Sequence, residues 1–153
     1  MGFLEGVCVE PLRIIKHDKG DILHALKEND SVYSGFGEVY FSTVHHGEVK
    51  GWKKHTTMNM NLVVPEGEVR IVVYDDRESS STRGQFLVAQ LSRNNYSRVT
   101  VQAGLWVAFQ GVSRTTNLLM NFADIKHDPS ESISMPLDSI QFDWSLHEEH
   151  SPI

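Results

Sequence analysis

Cysteine is almost absent from this sequence, with Cys8 the single example among 153 residues. One cysteine cannot form a disulfide within the chain, which is typical of a reducing compartment and predicts a cytoplasmic protein. Cys8 stands in an apolar run at 6–9, where a thiol more often packs as a small hydrophobic group than reacts as a nucleophile. We therefore expect Cys8 to pack against apolar neighbours.

Long hydrophobic runs and an excess of positive charge are also missing. No apolar run approaches the roughly 20 residues that cross a bilayer, and the amino terminus lacks the basic and apolar regions of a signal peptide. We therefore expect no membrane partner. The formal net charge is −6, so no overall basic field exists to bind nucleic acid. A small anionic ligand would depend on locally placed lysine and arginine side chains.

Glycine-rich phosphate loops and grouped metal ligands are missing as well. No such loop follows a predicted strand, which excludes dinucleotide-binding and P-loop folds. The eight histidines are scattered. His45 and His46 are adjacent and would point to opposite faces of a strand, and His55 has no histidine two residues away. This distribution favours a protein without a metal site.

What the chain does contain is a series of short, evenly spaced β-rich runs. Its length suits one compact domain, which we place at residues 1–145, followed by a polar C-terminal tail at 146–153. A short strand is expected within 6–15, and Asp21 with the apolar residues after it predicts one or two helical turns at 21–28. Further strands are predicted at 38–44, 48–55, 58–64, 69–74, 86–91, 98–102, 105–109, 117–123 and 140–144. Such spacing, with turn signals about every 8–12 residues, indicates an all-β antiparallel sandwich or barrel.

Alternation along two of these strands separates a polar stripe from an apolar one. Side chains two residues apart share a face of a strand, so Lys53 and His55 lie together. If the Thr56–Thr57 link keeps the phase, Asn59 and Asn61 continue the stripe. A polar stripe faces either solvent, the commoner outcome for an isolated antiparallel strand, or a ligand cavity inside a barrel. Asparagine is uncommon in strands, which favours the cavity.

A second polar stretch, at 110–117, returns into the predicted strand that contains Asn121. Its Arg114 suits bidentate contact with a phosphate or carboxylate. A solvated arginine in a loop is equally compatible with the spacing, so both interpretations of Arg114 stay open.

Five short motifs occur in a distinctive order along the chain. They are GFGEVYFS at 35–42, GEVKGW at 47–52, GEVRIVVYDDR at 67–77, GLWVAFQG at 104–111 and IQFDW at 140–144. In this order they resemble the dTDP-4-dehydrorhamnose 3,5-epimerase family of cupins, with a weaker similarity to the dTDP-sugar 3,4-ketoisomerases through 51–55. The resemblance covers roughly residues 8–145 and implies a cupin-type jelly-roll barrel, which here would carry the short N-terminal helical turns.

That resemblance also implies a function. Members are cytoplasmic homodimers that bind a nucleoside-diphosphate 4-keto sugar inside the barrel and use neither a metal nor another cofactor. They move protons at carbons α to the ketone, in the biosynthesis of deoxysugars for bacterial surface polysaccharides such as lipopolysaccharide.

Matching the family's motifs position by position assigns several residues. The segment that contacts the nucleotide corresponds to Phe36 and Glu38, and the phosphate-binding arginine is replaced by Lys50, which keeps the charge but loses the fork. The family's histidine base falls at Lys53. His55 falls where the ketoisomerases have the second of two histidines.

Three further family positions differ in this sequence. The tyrosine acid aligns with Met120, which has no proton to give. The histidine of the preceding turn becomes Arg114. The aspartate that orients the base falls within 135–138, where Asp138 is the nearest acid.

Three functions are compatible with these substitutions. The favoured one is a sugar-nucleotide epimerase or ketoisomerase variant, with Lys53 or His55 as base and Arg114 or Asn121 polarising the ketone or its enolate. The second is a non-catalytic cupin that binds a sugar nucleotide or carbohydrate as an accessory protein. The third is a structural or interaction domain with a vestigial cavity.

Overall fold

A computed structural model describes residues 2–146 as two five-stranded antiparallel β-sheets. The first sheet has the strand order β1-β9-β6-β11-β4 and the second β12-β5-β10-β7-β8, while β2 and β3 form a separate two-stranded ribbon. The strands are β1 Val7–Pro11, β2 Ile14–Ile15, β3 Ile22–Leu23, β4 Glu38–Thr43, β5 Val49–His55, β6 Met60–Glu66, β7 Val69–Tyr74, β8 Phe86–Leu91, β9 Ser97–Val101, β10 Trp106–Gly111, β11 Leu118–Ala123 and β12 Ser132–Ser134. The all-β prediction is confirmed, and the predicted strands between residues 38 and 123 agree with β4 to β11 to within two residues at each end.

The predicted helical turns at 21–28 are wrong. Ile22–Leu23 pairs with Ile14–Ile15 as an antiparallel ribbon. The Asp21 carboxylate accepts a hydrogen bond from the amide of His17 at 3.1 Å, so it closes the turn between these strands instead of capping a helix. In the described part of the chain, no helix is long and apolar enough to cross a membrane.

The C-terminal region also differs from its prediction. Residues 140–144 do not form a strand and instead cross the outer face of the second sheet. The short strand β12 and two single 3-10 turns, Pro129–Glu131 and Leu137–Ser139, precede them and had no clear sequence signal. The predicted polar tail lies, apart from Leu146, outside the described residues.

Apolar side chains at alternate positions of the strands fill the space between the sheets. On β6 these are Met60, Leu62 and Val64, and β7 contributes in the same way from the facing sheet. Residues 60–64 of β6 and the whole of β9 are buried, because these strands lie inside the first sheet with both faces covered. Burial of this apolar area supplies the main driving force for folding.

A second apolar cluster covers the outer face of the second sheet. Trp52 and Trp106 project outward there and meet Ile140, Phe142 and Trp144. The rings of Trp52 and Trp144 lie 5.7 Å apart, and those of Phe142 and Trp144 lie 4.5 Å apart. The aromatic residues near the end of the sequence therefore cover a sheet face instead of extending the sheet.

Cys8 is exposed, so the expectation that it packs against apolar neighbours is wrong. It lies on β1, at the edge of the first sheet, where alternate side chains point to opposite faces. Val7 and Val9 on either side pack against the core, which leaves Cys8 on the outer face.

The loop at 75–84 is fixed by a buried carboxylate. Asp75 is completely buried, and its two oxygens accept hydrogen bonds from Nε and Nη2 of Arg77 at 2.9 Å and from the Thr82 hydroxyl at 2.7 Å. The hydrogen bonds from Arg77 hold the pKa of Asp75 far below its usual value, although burial opposes this, and those from Ser80 and Thr82 add to the effect. The main-chain oxygen of Glu5 also accepts from Arg77, so the loop is tied to the N-terminal segment.

Replacing Asp75 by asparagine is expected to lower the free energy of unfolding by about 3 kcal/mol, because Arg77 loses its counter-charge. The folded-state pKa lies below the unfolded value of about 3.9. The contribution of the carboxylate is therefore fully present at neutral pH and is lost as the pH falls below the unfolded pKa. Chemical denaturation at about pH 7 and about pH 3 should show a smaller difference between the two proteins at the lower pH.

Asp18→Asn, in an exposed turn, is the matched control and should change stability by less than about 0.5 kcal/mol. An Asp75→Asn effect of the same size at both pH values would contradict the proposed role of the ionised carboxylate.

Candidate active site

A cavity of about 300 Å³ opens between the two sheets. Its polar lining comes from Tyr40, Ser42 and Asn121 on the first sheet and from Lys50, Lys53, His55 and Ser134 on the second. The remaining wall is largely apolar, with Met60, Leu62, Val107, Phe109 and Leu119. An apolar pocket with a few convergent polar groups is the usual form of a small-molecule site.

An irregularity in β5 places both lysines on the cavity wall. Val107 of β10 pairs with Lys53 of β5, and Phe109 of β10 pairs with Lys50 of β5. A step of two residues on β10 therefore matches a step of three residues on β5, so β5 carries one extra residue there. In a regular strand residues three apart would face opposite ways. Gly51 stands at this point because a Cβ atom would lie 2.4 Å from the Cβ of Ala108. Lys50 thus lines the cavity together with Lys53, which the regular alternation did not predict.

His55 forms a buried pair with Glu131. Its Nδ1 is hydrogen-bonded to Oε1 of Glu131. The other carboxylate oxygen accepts from the main-chain amides of Thr57 and Met58, each at 3.2 Å. Because β12 pairs with the end of β5, with Ser132 opposite His55, the acid that precedes β12 is brought directly against the histidine.

The environment of Glu131 determines which nitrogen of His55 carries the proton. Burial raises the pKa of Glu131, but the hydrogen bonds from His55 and from the amides of Met58 and Thr57 outweigh it and bring the pKa below its usual value. Glu131 is therefore an ionised acceptor at neutral pH, and Nδ1 of His55 is the donor. Neutral His55 then has its lone pair on Nε2, the tautomer needed for a general base.

Glu131 was missed by the sequence analysis, which placed the nearest acid at Asp138. The structure places Asp138 in an exposed 3-10 turn, outside the cavity lining. Glu131 and His55 are 76 positions apart in the sequence, and no spacing rule connects two such distant residues. A short strand pairing that the sequence did not reveal brings them together.

The prediction that Asn59 and Asn61 share the cavity face is wrong. The link after β5 crosses to the other sheet and changes the phase, so Met60 and Leu62 face the cavity instead. Asn61 points away from it, where its Oδ1 accepts from the hydroxyl of Thr100 at 2.9 Å. Asn59 Oδ1 accepts from the amide of Ala103 at 3.0 Å, so both asparagines make hydrogen bonds that stabilise the sheet.

Asn121 does line the cavity, next to a tyrosine that the sequence analysis did not select. Alternation along β11 turns Leu119 and Asn121 inward and leaves Met120, the aligned acid position, on the outer face. Tyr40 is directly opposite Asn121 on β4, and Asn121 Nδ2 donates to Tyr40 Oη at 3.0 Å. Alternation along β4 predicts that Tyr40 and Ser42 share one face, whereas the position that matches the family's acid lies on β11.

Three predicted binding residues lie outside this cavity. Phe36 is 61% exposed and packs on Phe122 at 5.2 Å between ring centroids, on the outer face of the first sheet. Glu38 begins β4, and Arg114 is exposed in the turn before β11. None of the three lines the cavity of its own chain, so the structure does not bring them together with His55.

The two antiparallel sheets, with a polar site between them, define a cupin-type jelly roll. Solved structures share this fold. A dTDP sugar isomerase from Desulfovibrio desulfuricans G20 superposes with a TM-score of 0.88 at 37% identity, covering 92% of this chain and 91% of that one. A dTDP-6-deoxy-D-glucose-3,5-epimerase from Legionella pneumophila, solved with dTDP-4-keto-L-rhamnose, superposes with a TM-score of 0.81 at 20% identity, covering 95% and 81% of the chains.

Sequence comparison defines the family. The model of the dTDP-4-dehydrorhamnose 3,5-epimerase family matches residues 4–152, and the chain belongs to that family. A probable low-salt glycan biosynthesis epimerase from Haloferax volcanii is 24% identical over 93% of this chain and 95% of its own length. A spore coat polysaccharide biosynthesis protein from Bacillus subtilis is 22% identical over 93% of this chain and 97% of its own length.

The tautomer of His55 can be tested directly. In long-range nitrogen–proton NMR spectra, the neutral form of His55 should carry its proton on Nδ1 and not on Nε2, because the Glu131 carboxylate can only accept. Glu131→Gln should move the proton of the neutral imidazole to Nε2, because the main-chain amides of Thr57 and Met58 hold the new amide oxygen and the NH2 group is left to donate to Nδ1. His46, whose Nδ1 lies 2.9 Å from the carbonyl oxygen of Val112, should be unchanged and is the control. A protonated Nε2 in the neutral wild-type imidazole would contradict this assignment.

Proposed function

We propose that this protein is a sugar-nucleotide epimerase or ketoisomerase that acts on a dTDP-4-keto-6-deoxyhexose, with His55 as its base. The observation that carries this proposal is the buried His55–Glu131 pair at the wall of a cavity in a member of this family. A histidine held by an ionised carboxylate can take a proton, and the carboxylate stabilises the imidazolium that forms.

The chemistry begins with removal of a proton from a carbon α to the ketone. Nε2 of His55 takes this proton, and the electron pair of the C–H bond moves into an enolate. Lys50 and Lys53 line the same cavity, and their positive charges favour the negative charge of the enolate oxygen or of the diphosphate. Lys53, the alternative base, is exposed and does not contact Glu131 as His55 does, so we assign it this electrostatic role.

The apolar part of the cavity supports a 6-deoxy sugar as substrate. Met60, Leu62 and Leu119 on the first sheet and Val107 on the second form a wall with little to satisfy a hydroxyl. A methyl group loses no hydrogen bond there, whereas a primary alcohol would be desolvated at a cost of about 1–3 kcal/mol. The wall therefore favours a methyl group at carbon 6.

The relatives support a place for this reaction in polysaccharide biosynthesis. Two of them are named for glycan and spore coat polysaccharide biosynthesis, and the Legionella pneumophila structure holds a dTDP-linked keto sugar. We propose that this chain likewise supplies an activated sugar for a surface polysaccharide, such as lipopolysaccharide, and that it works in the cytoplasm, where nucleotide sugars are made.

The test is hydrogen exchange on dTDP-4-keto-6-deoxy-D-glucose in deuterated water, followed by NMR at carbons 3 and 5. The wild-type protein should incorporate deuterium at one or both carbons. His55→Asn should lower the rate by about 1,000-fold because the base is lost. His127→Asn, at an exposed position, is the control and should leave the rate unchanged.

Two results would count against this function. Tight binding of the sugar nucleotide without exchange by the wild type would make the protein a non-catalytic binder. Absence of binding to dTDP-, UDP- and CDP-sugars alike would exclude both roles.

We also propose that the protein is a homodimer formed through β4. This strand lies at the edge of the first sheet and carries exposed Val39 and Phe41, close to exposed Phe36. Unpaired edges with apolar side chains tend to be covered by another chain. In such a dimer Phe36 and Glu38, which do not line their own cavity, would be available to the nucleotide bound by the neighbouring copy.

Phe41→Glu is expected to raise the dissociation constant of this dimer by at least about 100-fold, because it places a charge in an apolar contact. Sedimentation velocity across micromolar concentrations measures the change. Val88→Glu, at an exposed position on the second sheet, should leave the dimer intact. A wild-type protein that sediments as a monomer throughout would exclude the dimer.

A further inference from the structure

Inversion at a carbon needs a proton donor on the side opposite the base. His55 lies on β5 of the second sheet, so a substrate that fills the cavity presents its other face to the first sheet. A donor there must line the cavity, carry an acidic proton and remain close enough to solvent to be reprotonated.

The wall formed by the first sheet offers few proton donors. Within the described residues, its polar lining side chains are Tyr40, Ser42 and Asn121. An amide is not a useful acid, and an alkyl hydroxyl is a much weaker acid than a phenol. Tyr40 supplies the phenol of this wall, and it is 42% exposed, which allows exchange with water.

Asn121 makes the Tyr40 hydroxyl oxygen a hydrogen-bond acceptor, which leaves the hydroxyl proton free to be donated elsewhere. The Oδ1 atom of Asn121 accepts from the main-chain amide of Asn61 at 3.3 Å. A main-chain amide can only donate, so this contact fixes the orientation of the Asn121 side chain. Nδ2 must then donate to Tyr40 Oη at 3.0 Å. Tyr40 is an acceptor in that hydrogen bond, so its own proton is available to a substrate.

We infer that Tyr40, supported by Asn121, is the proton donor that completes inversion. After His55 Nε2 has taken the proton, the Tyr40 O–H bond breaks and its proton joins the carbon from the opposite face. The enolate electron pair forms the new C–H bond, and the ketone is restored. The phenolate left on Tyr40 keeps the hydrogen bond from Asn121. His55 then loses its proton to water, and the Tyr40 phenolate takes a proton from water. These two steps restore the starting state.

This inference rests on the proposed function, and two readouts separate them. With a substrate deuterated at the reacting carbon, release of label into water reports the base step, and NMR of the product reports inversion. Tyr40→Phe should slow inversion by at least about 100-fold while release of label stays within about tenfold of the wild type. Loss of only one of two proton transfers is expected of a donor and not of a residue that merely binds substrate.

Two controls sharpen the result. Tyr74→Phe removes a hydroxyl whose ring packs 4.7 Å from Phe86 on the outer side of the second sheet and should leave both rates unchanged. Ser42→Ala removes the other hydroxyl of the same wall and should change both rates by the same factor, because Ser42 transfers no proton. Tyr40→Phe should remain folded, with a melting temperature slightly below that of the wild type, because the buried Nδ2 of Asn121 loses its acceptor.

Inversion by Tyr40→Phe at the wild-type rate would overturn the inference, as would an equal loss of both rates. Loss of inversion in Ser42→Ala with retention in Tyr40→Phe would transfer the role to Ser42. A wild-type protein that neither releases label nor inverts the substrate would instead reject the proposed function.

Discussion

The contact between His55 and Glu131 is the interaction on which the site depends. It joins the end of β5 to the residue before β12, and the same carboxylate closes the link to β6 through the amides of Thr57 and Met58. Four groups meet there: the imidazole of His55, the carboxylate of Glu131 and two main-chain amides. Leaving any of them buried without a partner would lower the free energy of unfolding. One carboxylate therefore fixes the chain where it crosses between the sheets and determines the tautomer of the histidine. The Glu131 carboxylate therefore contributes both to the stability of this region and to the arrangement of the candidate site.

The extra residue in β5 has a comparable importance for the rest of the cavity. It places Lys50 and Lys53 on one wall beside His55, where a regular strand would divide them. Positive charge is thereby concentrated on the wall that contains His55, while Tyr40 and Asn121 lie on the other sheet. A substrate between these walls meets different chemistry on its two faces, which is what inversion of a stereocentre requires.

The groups that we propose for proton transfer do not occupy the positions at which the family resemblance places the base and the acid. The aligned base position holds Lys53 and the aligned acid position holds Met120. The cavity instead contains the imidazole of His55, two residues after Lys53 on β5, and the phenol of Tyr40 on β4, the strand that pairs with the strand of Met120. His55 shares the inward face with Lys53, because residues two apart on a strand point the same way. Tyr40 neighbours Asn121 across a strand pair. In a β-sheet, side chains from neighbouring positions on one strand or on paired strands can reach the same part of a cavity. The same type of chemical group can therefore be supplied from different backbone positions.

Sequence periodicity alone determined the all-β class, the extents of β4 to β11 and the closeness of Lys53 and His55, because these depend on alternation within one strand. Short motifs in a fixed order, which are independent of periodicity, indicated the resemblance to the family. Only the tertiary structure decided that Glu131 is hydrogen-bonded to His55, that Asn59 and Asn61 lie outside the cavity lining and that Tyr40 lines the cavity on the sheet opposite His55. Each of these depends on how distant strands pair or where a strand shifts its phase, and a change of one residue in either reverses the face on which a side chain lies.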